Sequence, residues 1–378
     1  MLKTIKIDNF RSFKSFELQQ LGRVNLLVGK NNSGKTSILE AIQLLCSRTN
    51  LEPLAEVMIN RGEYFLNDHQ RRNSELDICH LFYGHEIQPD SNLCVSGMND
   101  ENKETITVSI GARYFHIDDD LGKLGKQLNE ESSILNESSL SIKGLNLGIK
   151  WTHGEKTEIL TFPLSNNNSL NLDYIQPFHR DGKNPAPKIQ FITSSSLETE
   201  KMIELFEQIV LTPEEKLVEQ ALHRIDSKIQ RIAPVSSRKS RYSLDSRGGF
   251  FVLLSDSNQR VPIGSMGDGI WRILGLALAT VCAKDGYLFV DEIDTGLHFT
   301  AMSDMWKLIW ETAKRLNVQV FATTHNSDCW TSLASIAEQE DVTEDGIRIH
   351  RIEKGKETSV VFTEPQIVIA AEREIEVR

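Results

Sequence analysis

The sequence predicts an α/β fold with a mostly parallel core sheet, an antiparallel β subdomain and a short helical insertion. Three observations carry this prediction. An apolar run, Val24 to Val28, leads through a glycine-rich loop into a helical pattern. The middle of the chain, from Thr105 to Pro163, shifts to period two, the mark of antiparallel strands. In the last third, short apolar runs alternate with helical periodicity, which argues for parallel strands joined by crossover helices.

Taken in order, Leu2 to Ile7 alternates as a half-buried strand. Val24 to Val28 is a second strand ending at Gly29. A helix from Thr36 onward sets Ile38, Leu39, Ile42 and Leu45 on one face. Residues 105–110, Ser141 to Trp151 and Thr157 to Phe162 read as antiparallel strands separated by Gly, Asn and Asp clusters. Residues 120–139 and Ser165 to Ser169 read as mobile connections. Helices take over near Leu197. Thr212-Pro213 with Glu215 is a helix-start pattern, Thr as N-cap, Pro at N1 and Glu at N3. The apolar series Leu217, Val218, Ala221, Leu222, Ile225, Ile229 and Ile232 extends that helix to about 20 residues, or ~30 Å. This is too short for a long coiled-coil arm. Gly249 to Leu254 follows as a strand, and Ile270, Ile273, Leu274, Ala277, Leu278 and Val281 mark an amphipathic helix. Tyr287 to Val290 is a buried strand entering Asp291-Glu292. Met305, Trp306, Ile309, Trp310, Ala313 and Leu316 mark the next helix, and Val318 to Ala322 a strand ending in Thr323-Thr324-His325.

The chain has 378 residues, 39% hydrophobic and 25% charged, which excludes collagen-like and wholly disordered classes. No apolar run reaches the length of a membrane span, and the N-terminus lacks the basic and apolar regions of a signal peptide. A cytoplasmic protein without a membrane partner is expected. Lys plus Arg is 42 against 53 for Asp plus Glu, a net charge of −11, so any nucleic-acid contact must come from a local patch. The five cysteines, Cys46, Cys79, Cys94, Cys282 and Cys329, form no C-x-x-C pair and read as plain thiols in a reducing compartment.

The segment GKNNSGKT, Gly29 to Thr36, fits G-x-x-x-x-G-K-[ST] between a strand and a helix. Each position has a physical use. Gly29 and Gly34 let the backbone wrap a phosphate chain. The N–H groups of Lys30, Asn31, Asn32, Ser33 and the first helical residues, Ser37 included, face an anion together with the positive helix end. Lys35 supplies a point charge to the β- and γ-phosphates, and the Thr36 hydroxyl ligates Mg²⁺. Asp291 ends an apolar strand, where a carboxylate for the Mg²⁺ shell should sit. Glu292, immediately after it, is placed to orient or deprotonate an attacking water. His325 ends the next strand and can reach the γ-phosphate or the water. ATP and Mg²⁺ are the ligands implied, and ATP hydrolysis the reaction.

The order GKNNSGKT, SMGDG (Ser265 to Gly269), YLFVDE, IDTGLH (Ile293 to His298) and TTHNS resembles the ABC-type ATPase head of the RecF/SMC-like class of P-loop NTPases, and specifically the OLD-like or AAA15-type bacterial ATPases. The opening KIDNFRSFKSFE, residues 6–17, resembles the first strand pair of that class; residues 50–240 match only in layout. The resemblance implies ATP clamped between two protomers of a homodimer or higher even-numbered oligomer. Ser265, Gly267 and Gly269 would meet the γ-phosphate of the opposite protomer, with Met266 standing where the class has its first glycine. Asp294 would communicate across the dimer, and Arg11 would reach the nucleotide. The implied division is an N-terminal ATPase lobe at 1–196, a helical insertion at 197–240 and a C-terminal ATPase lobe at 241–378.

Arg224, Lys228, Arg231, Arg238, Lys239, Arg241 and Arg247 stand against Asp226 and Asp245, a local excess of positive charge. A solvated face and a contact to DNA phosphates or an acidic partner both fit this stretch. Glu372, Glu374 and Glu376 read as one solvated face of a terminal strand, not a nuclease centre. The expected function is an ATP-gated head controlling a separate effector, a Toprim-type nuclease in antiphage defence being the class implied. The alternatives are a DNA-repair or chromosome-maintenance ATPase that binds DNA itself, and a nucleotide-dependent scaffold with little turnover.

Overall fold

The structure, a computed structural model, describes residues 1–66, 74–99, 102–115, 141–175, 186–235, 249–256, 259–339 and 343–377. The N-terminal half runs β1 (Thr4–Phe10), β2 (Phe13–Leu18), β3 (Val24–Val28), α1 (Lys35–Ser47), α2 (Glu52–Asn60), β4 (Tyr64–Leu66), β5 (Ser74–Leu76), β6 (Asn92–Met98), β7 (Lys103–Phe115), β8 (Ser141–His153), β9 (Lys156–Pro163) and β10 (Leu170–Asn171). The rest runs β11 (Ile189–Ile192), α3 (Thr199–Ile209), α4 (Glu215–Ile225), β12 (Ile229–Pro234), β13 (Phe250–Leu254), β14 (Arg260–Pro262), α5 (Asp268–Cys282), β15 (Tyr287–Val290), α6 (Phe299–Leu316), β16 (Gln319–Thr323), α7 (Ser327–Gln339), β17 (Ile347–Arg351), β18 (Val360–Phe362) and α8 (Glu364–Glu372).

The core sheet has the order β11-β15-β16-β3-β17-β18, parallel except for β18. Its central strands β3, β15 and β16 are mostly apolar because both faces are covered. Along β3, Val24, Leu26 and Val28 face the cluster built by α3 to α8, while Leu27 faces the opposite cluster with Ile38, Leu39 and Ile42 of α1. The same alternation puts Leu288 and Val290 on one side and Phe289 on the other. Phe191, Phe289 and Phe321 stack across three neighbouring strands with ring centroids 6.1 and 5.6 Å apart. The second large sheet, β2-β1-β6-β7-β8-β9, is antiparallel and packs over α1. The predicted α/β class, with a mostly parallel core and an antiparallel part, is the architecture found.

Several local expectations need correction. The helix from Thr212 to Ile232 stops at Ile225. Asp226 ends it in an extended conformation, and its carboxylate accepts the Lys228 N–H at 3.0 Å. Ile229 and Ile232 belong to β12. Their spacing of three looks helical, but a register shift between Ile229 and Arg231 lets both face the core from a strand. Thr212 is not the N-cap; its hydroxyl closes back on the Ile209 carbonyl at 2.6 Å, and Glu214 precedes the first helical residue. Segment 197–240 thus opens with two helices and then enters a strand. Ser165 to Ser169 is a closed turn, with Ser165 N bonded to the Ser169 carbonyl and Ser169 fully buried. Glu372 ends α8, and Glu374 sits in a left-handed turn with φ 53°, so these acids do not share a strand face. Residues 120–139, and Arg238, Lys239, Arg241 and Arg247, lie outside the described residues. The remaining basic residues of that stretch are paired within the chain: Arg224 with Glu311, Lys228 with Asp256 and Arg231 with Glu219. Among the described residues, no helix is long and apolar enough to cross a membrane.

A buried histidine makes the sheet acid-sensitive. His350 on β17 is fully buried, with Nδ1 3.3 Å from the Ser359 hydroxyl and Nε2 3.4 Å from Asn25 Oδ1. Burial, helped by Arg348, lowers its pKa to about 3 from an ordinary 6.5. The unfolded chain therefore binds a proton in that window that the folded chain refuses. Stability falls as pH drops through it, by up to about 1.4 kcal/mol per pH unit. In urea titrations at several pH values, His350→Gln should show a shallower loss of stability below pH 6.5 than the parent. Equal slopes would remove His350 as the source.

Candidate functional site

The loop Gly29–Thr36 lies where the central strand β3 ends, at the carboxyl edge of the parallel sheet. Its two glycines are required by space and conformation. Gly29 has φ 148°, and a Cβ there would stand 2.4 Å from the Ile352 carbonyl oxygen. Gly34 has φ 96°, and its Cβ would stand 2.4 Å from the Phe13 ring. Phe13 opens β2, so the N-terminal hairpin closes one wall of the loop. Asn32 turns through φ 57°, and Lys30, Asn31 and Asn32 are exposed while Ser33 and Ser37 are buried. Lys35 folds back across the loop, donating to the carbonyls of Gly29 at 2.8 Å and Lys30 at 3.0 Å. Burial lowers its pKa, against the charges of Asp291 and Glu292, which raise it.

Asp291 and Glu292 leave the end of β15 beside this loop. The Thr36 hydroxyl faces the Asp291 carboxylate at 3.0 and 3.2 Å. Thr323, at the end of β16, donates its hydroxyl to Asp291 Oδ1 at 2.7 Å and accepts the Glu292 N–H at 2.8 Å. That bond holds Glu292 in a left-handed conformation, φ 45°, unusual for a side chain with a Cβ. His325 Nδ1 lies 3.5 Å from Glu292 Oε1, both side chains open to solvent. Asp294 is buried and accepts the Thr324 hydroxyl at 2.6 Å. A cavity of about 270 Å³ is lined by Asn31 to Ser37, Arg61, Asp291, Glu292 and Thr323.

Three further groups complete the surroundings, none singled out by the motif. Arg272, on α5 and 3% exposed, donates to the carbonyls of Thr193, Asp291 and Glu292 at 3.0, 3.3 and 3.0 Å. Burial lowers its pKa to about 10, opposed by Asp294, Asp291 and Glu292. A charge inside the apolar run Ile270 to Val281 was the available signal. Arg61 reaches the loop cavity from α2's end and pairs with Glu40 of α1 at 2.6 Å. Glu40 also pairs with Arg11 at 2.6 Å, and Arg11 pairs with Glu63 at 2.6 Å. Arg11 is thus buried in an ion cluster, and it is Arg61, not Arg11, that lines the loop cavity.

Ser265, Gly267 and Gly269 are gathered elsewhere. A 3-10 turn, Ile263–Met266, runs into Gly267 and the start of α5. Ser265, Gly267 and Asp268 are exposed, while Met266 packs against the core. This segment does not line the loop cavity. The first turn of α5 carries no side-chain cap hydrogen bond from Gly267.

The donor set fits a magnesium nucleotide. The two glycine positions form a cradle that a Cβ would fill, the Ser33 hydroxyl is buried in the loop without a hydrogen-bond partner, and Thr36 and Asp291 offer hard oxygen donors side by side.

Known proteins similar to this chain include three kinds. A chain of Helicobacter pylori described as an ATP/GTP phosphatase is 22% identical over 355 residues, covering 90% of each chain. The DNA replication and repair protein RecF of Clostridioides difficile is 52% identical over 44 residues, 12% of each chain. The solved Smc head bound to the C-winged helix domain of ScpA is 14% identical, with a TM-score of 0.46 over 96% of this chain and 97% of that one. The family model AAA_15, described as an AAA ATPase domain, matches residues 1–329. With that much of its length matched, the chain belongs to the AAA_15 family and is an ATPase.

Proposed function

We propose that the chain is the head of a cytoplasmic ATPase that dimerises around ATP and so gates a separate effector, a Toprim-type nuclease in antiphage defence being the class favoured by the resemblance to OLD-like proteins. The observation that carries the reading is a division of parts. The loop, Asp291 and Glu292 share one cavity, with His325 3.5 Å from Glu292, whereas Ser265 to Gly269 present a helix start without a side-chain cap outside it. A second copy can bring that helix end to the open side of the loop. The proposed units are the lobes 1–196 and 241–378 with 197–240 between them.

In this mechanism the loop N–H groups and Lys35 bind the triphosphate, Lys35 exchanging the Gly29 and Lys30 carbonyls for β- and γ-phosphate oxygens. Base and ribose lie against the depression of about 290 Å³ beside the loop, lined by Phe13, Lys14, Asn32, Ser33, Tyr83 and Lys356 among others. Thr36 and Asp291 would hold Mg²⁺, which neutralises charge on the phosphates. Glu292 orients the attacking water and accepts its proton. His325 fixes the Glu292 carboxylate and faces the γ-phosphate. The partner's Ser265, Gly267 and Gly269 offer N–H groups to the charge that builds on the γ-phosphoryl group, and Asp294, tied to Thr324, carries the closed state to the rest of the interface.

Complementation tests the shared site. Lys35→Ala and Ser265→Arg should each abolish activity as homodimers. Mixed in equal amounts with subunit exchange confirmed, they should regain about a quarter of the parental rate, since half the dimers carry one intact composite site. No recovery would place the whole site within one chain.

A further inference from the structure

The described residues hold one compact group of mixed metal-ligating side chains, and it lies apart from the ATPase cavity. Asp77, Cys79 and His80 sit on the short helical turn after β5, and their ligand atoms all lie within 4.8 Å of one another. Asp77 Oδ2 stands 3.3 Å from His80 Nε2. Two ligands bound at about 2.0–2.1 Å with a tetrahedral angle between them stand about 3.3–3.4 Å apart, so this pair is already at coordinating separation.

A second observation concerns the other ring nitrogen. His80 Nδ1 faces His85 Nδ1 at 3.3 Å. One nitrogen must donate and the other accept. With the proton on His80 Nδ1, the His80 Nε2 lone pair points to Asp77 and is free to bind a metal. This is how outer-sphere acceptors fix the tautomer of metal-bound histidines. His85 is held in place by its own turn: its φ is 59°, and its N–H bonds to the Phe82 carbonyl at 3.1 Å.

The turn is also fastened without any ion. Asp77 Oδ1 caps the Cys79 N–H at 3.4 Å, which leaves Oδ2 for the site. Asp77 N–H bonds to the Glu63 carbonyl at 3.0 Å, and Arg11 N–H to the Leu81 carbonyl at 2.9 Å. The ligands are therefore presented on a rigid frame. Asp77 and Cys79 open onto a depression of about 370 Å³ that also meets Glu86 and Gln88, which leaves a fourth position to water.

We infer that Asp77, Cys79 and His80 form a binding site for a zinc-class divalent cation, with His85 as the outer acceptor that orients His80. The thiolate and imidazole donors select a borderline-soft ion over Mg²⁺ or Ca²⁺, which bind the all-oxygen donors of the ATPase cavity. The spacing Asp-x-Cys-His lacks the paired cysteines by which sequence patterns announce zinc, and for that reason Cys79 reads as a plain thiol in the sequence.

Co²⁺ titration of the full-length, nucleotide-free protein, under a non-thiol reductant, tests the site. The parent should bind one Co²⁺ per chain with a thiolate-to-cobalt charge-transfer band, and Zn²⁺ should displace it. Cys79→Ser should remove the band. His80→Ala should weaken binding at least 100-fold, and His85→Leu should keep the band while lowering affinity about 10–100-fold. Binding of a fluorescent ATP analogue by each variant confirms that the fold is intact. The inference is overturned if the parent shows no band, if the band survives Cys79→Ser, or if His80→Ala binds like the parent. An unchanged affinity in His85→Leu overturns the assignment of His85.

Discussion

Glu292→Gln should bind ATP as tightly as the parent and turn it over about 10²–10⁴-fold more slowly. The glutamine side chain keeps the size and the contact with His325 but cannot accept the proton of water. The backbone placement should survive, because the Thr323 hydroxyl that holds Glu292 accepts from its main-chain N–H, not from its carboxylate. Slow hydrolysis should then trap the closed dimer, visible as an ATP-dependent doubling of mass in light scattering. The measurement is single-turnover hydrolysis beside equilibrium ATP binding. A parental rate in this variant would transfer the task of activating water to another group, His325 first.

Arg272→Met should weaken the fold and slow turnover together. The arginine fork satisfies three carbonyls, those of Thr193, Asp291 and Glu292, in a buried setting. Methionine fills similar volume but donates nothing; the Thr193 and Glu292 carbonyls keep the N–H groups of Ser196 and Thr295, so the chief loss is the donor to the Asp291 carbonyl, and an orphaned buried acceptor costs about 1–3 kcal/mol. A loss of about 1–3 kcal/mol in denaturant unfolding is expected, together with a fall in kcat, because two of the three carbonyls belong to Asp291 and Glu292, the acids proposed to act on the nucleotide. Arg272→Lys keeps the charge without the planar fork, so it should recover part of the stability and less of the rate. A change below about 0.5 kcal/mol with an unaltered kcat would mark this contact as incidental.

The parts of the fold that were legible were those where one physical demand dominates. The expected bounds of Val24–Val28 and Tyr287–Val290 agree with β3 and β15, because a strand buried on both faces is pressed toward an apolar run, broken in β3 only by Asn25, whose amide donates to the Gly22 and Val320 carbonyls. The phosphate loop was legible because Gly29 and Gly34 answer steric limits that no other residue meets. Period counting failed where two patterns coincide. Ile225, Ile229 and Ile232 continue a helical spacing across Asp226, and the irregular step after Ile229 disguises a strand as the next helical turn. The acid pair stood out at its strand end, but its supports did not. Thr323 and Arg272 act from elements distant in sequence, and Arg61 approaches through Glu40. Such contacts are fixed by tertiary packing, which leaves no spacing rule in the chain. Arg11 shows the reverse case: the resemblance implied a contact to the nucleotide, and here its guanidinium is paired with Glu40 and Glu63.

The folded-back Lys35 gives the loop a built-in rival for an anionic ligand. While its ammonium is held by the Gly29 and Lys30 carbonyls, the cavity is already partly neutralised, and an incoming anion must outbid two short, charge-assisted bonds. A terminal phosphate alone has little with which to do so. A triphosphate, gripping the loop amides along its length, gains enough elsewhere to pull the lysine across. Apparent affinity is the intrinsic affinity scaled by the fraction of loops whose lysine is released, so this tether acts as a filter that penalises short phosphate chains more than long ones. In the proposed dimer, selectivity for the energised nucleotide over its spent products would thus begin within one protomer, in a conformational toll set by one side chain.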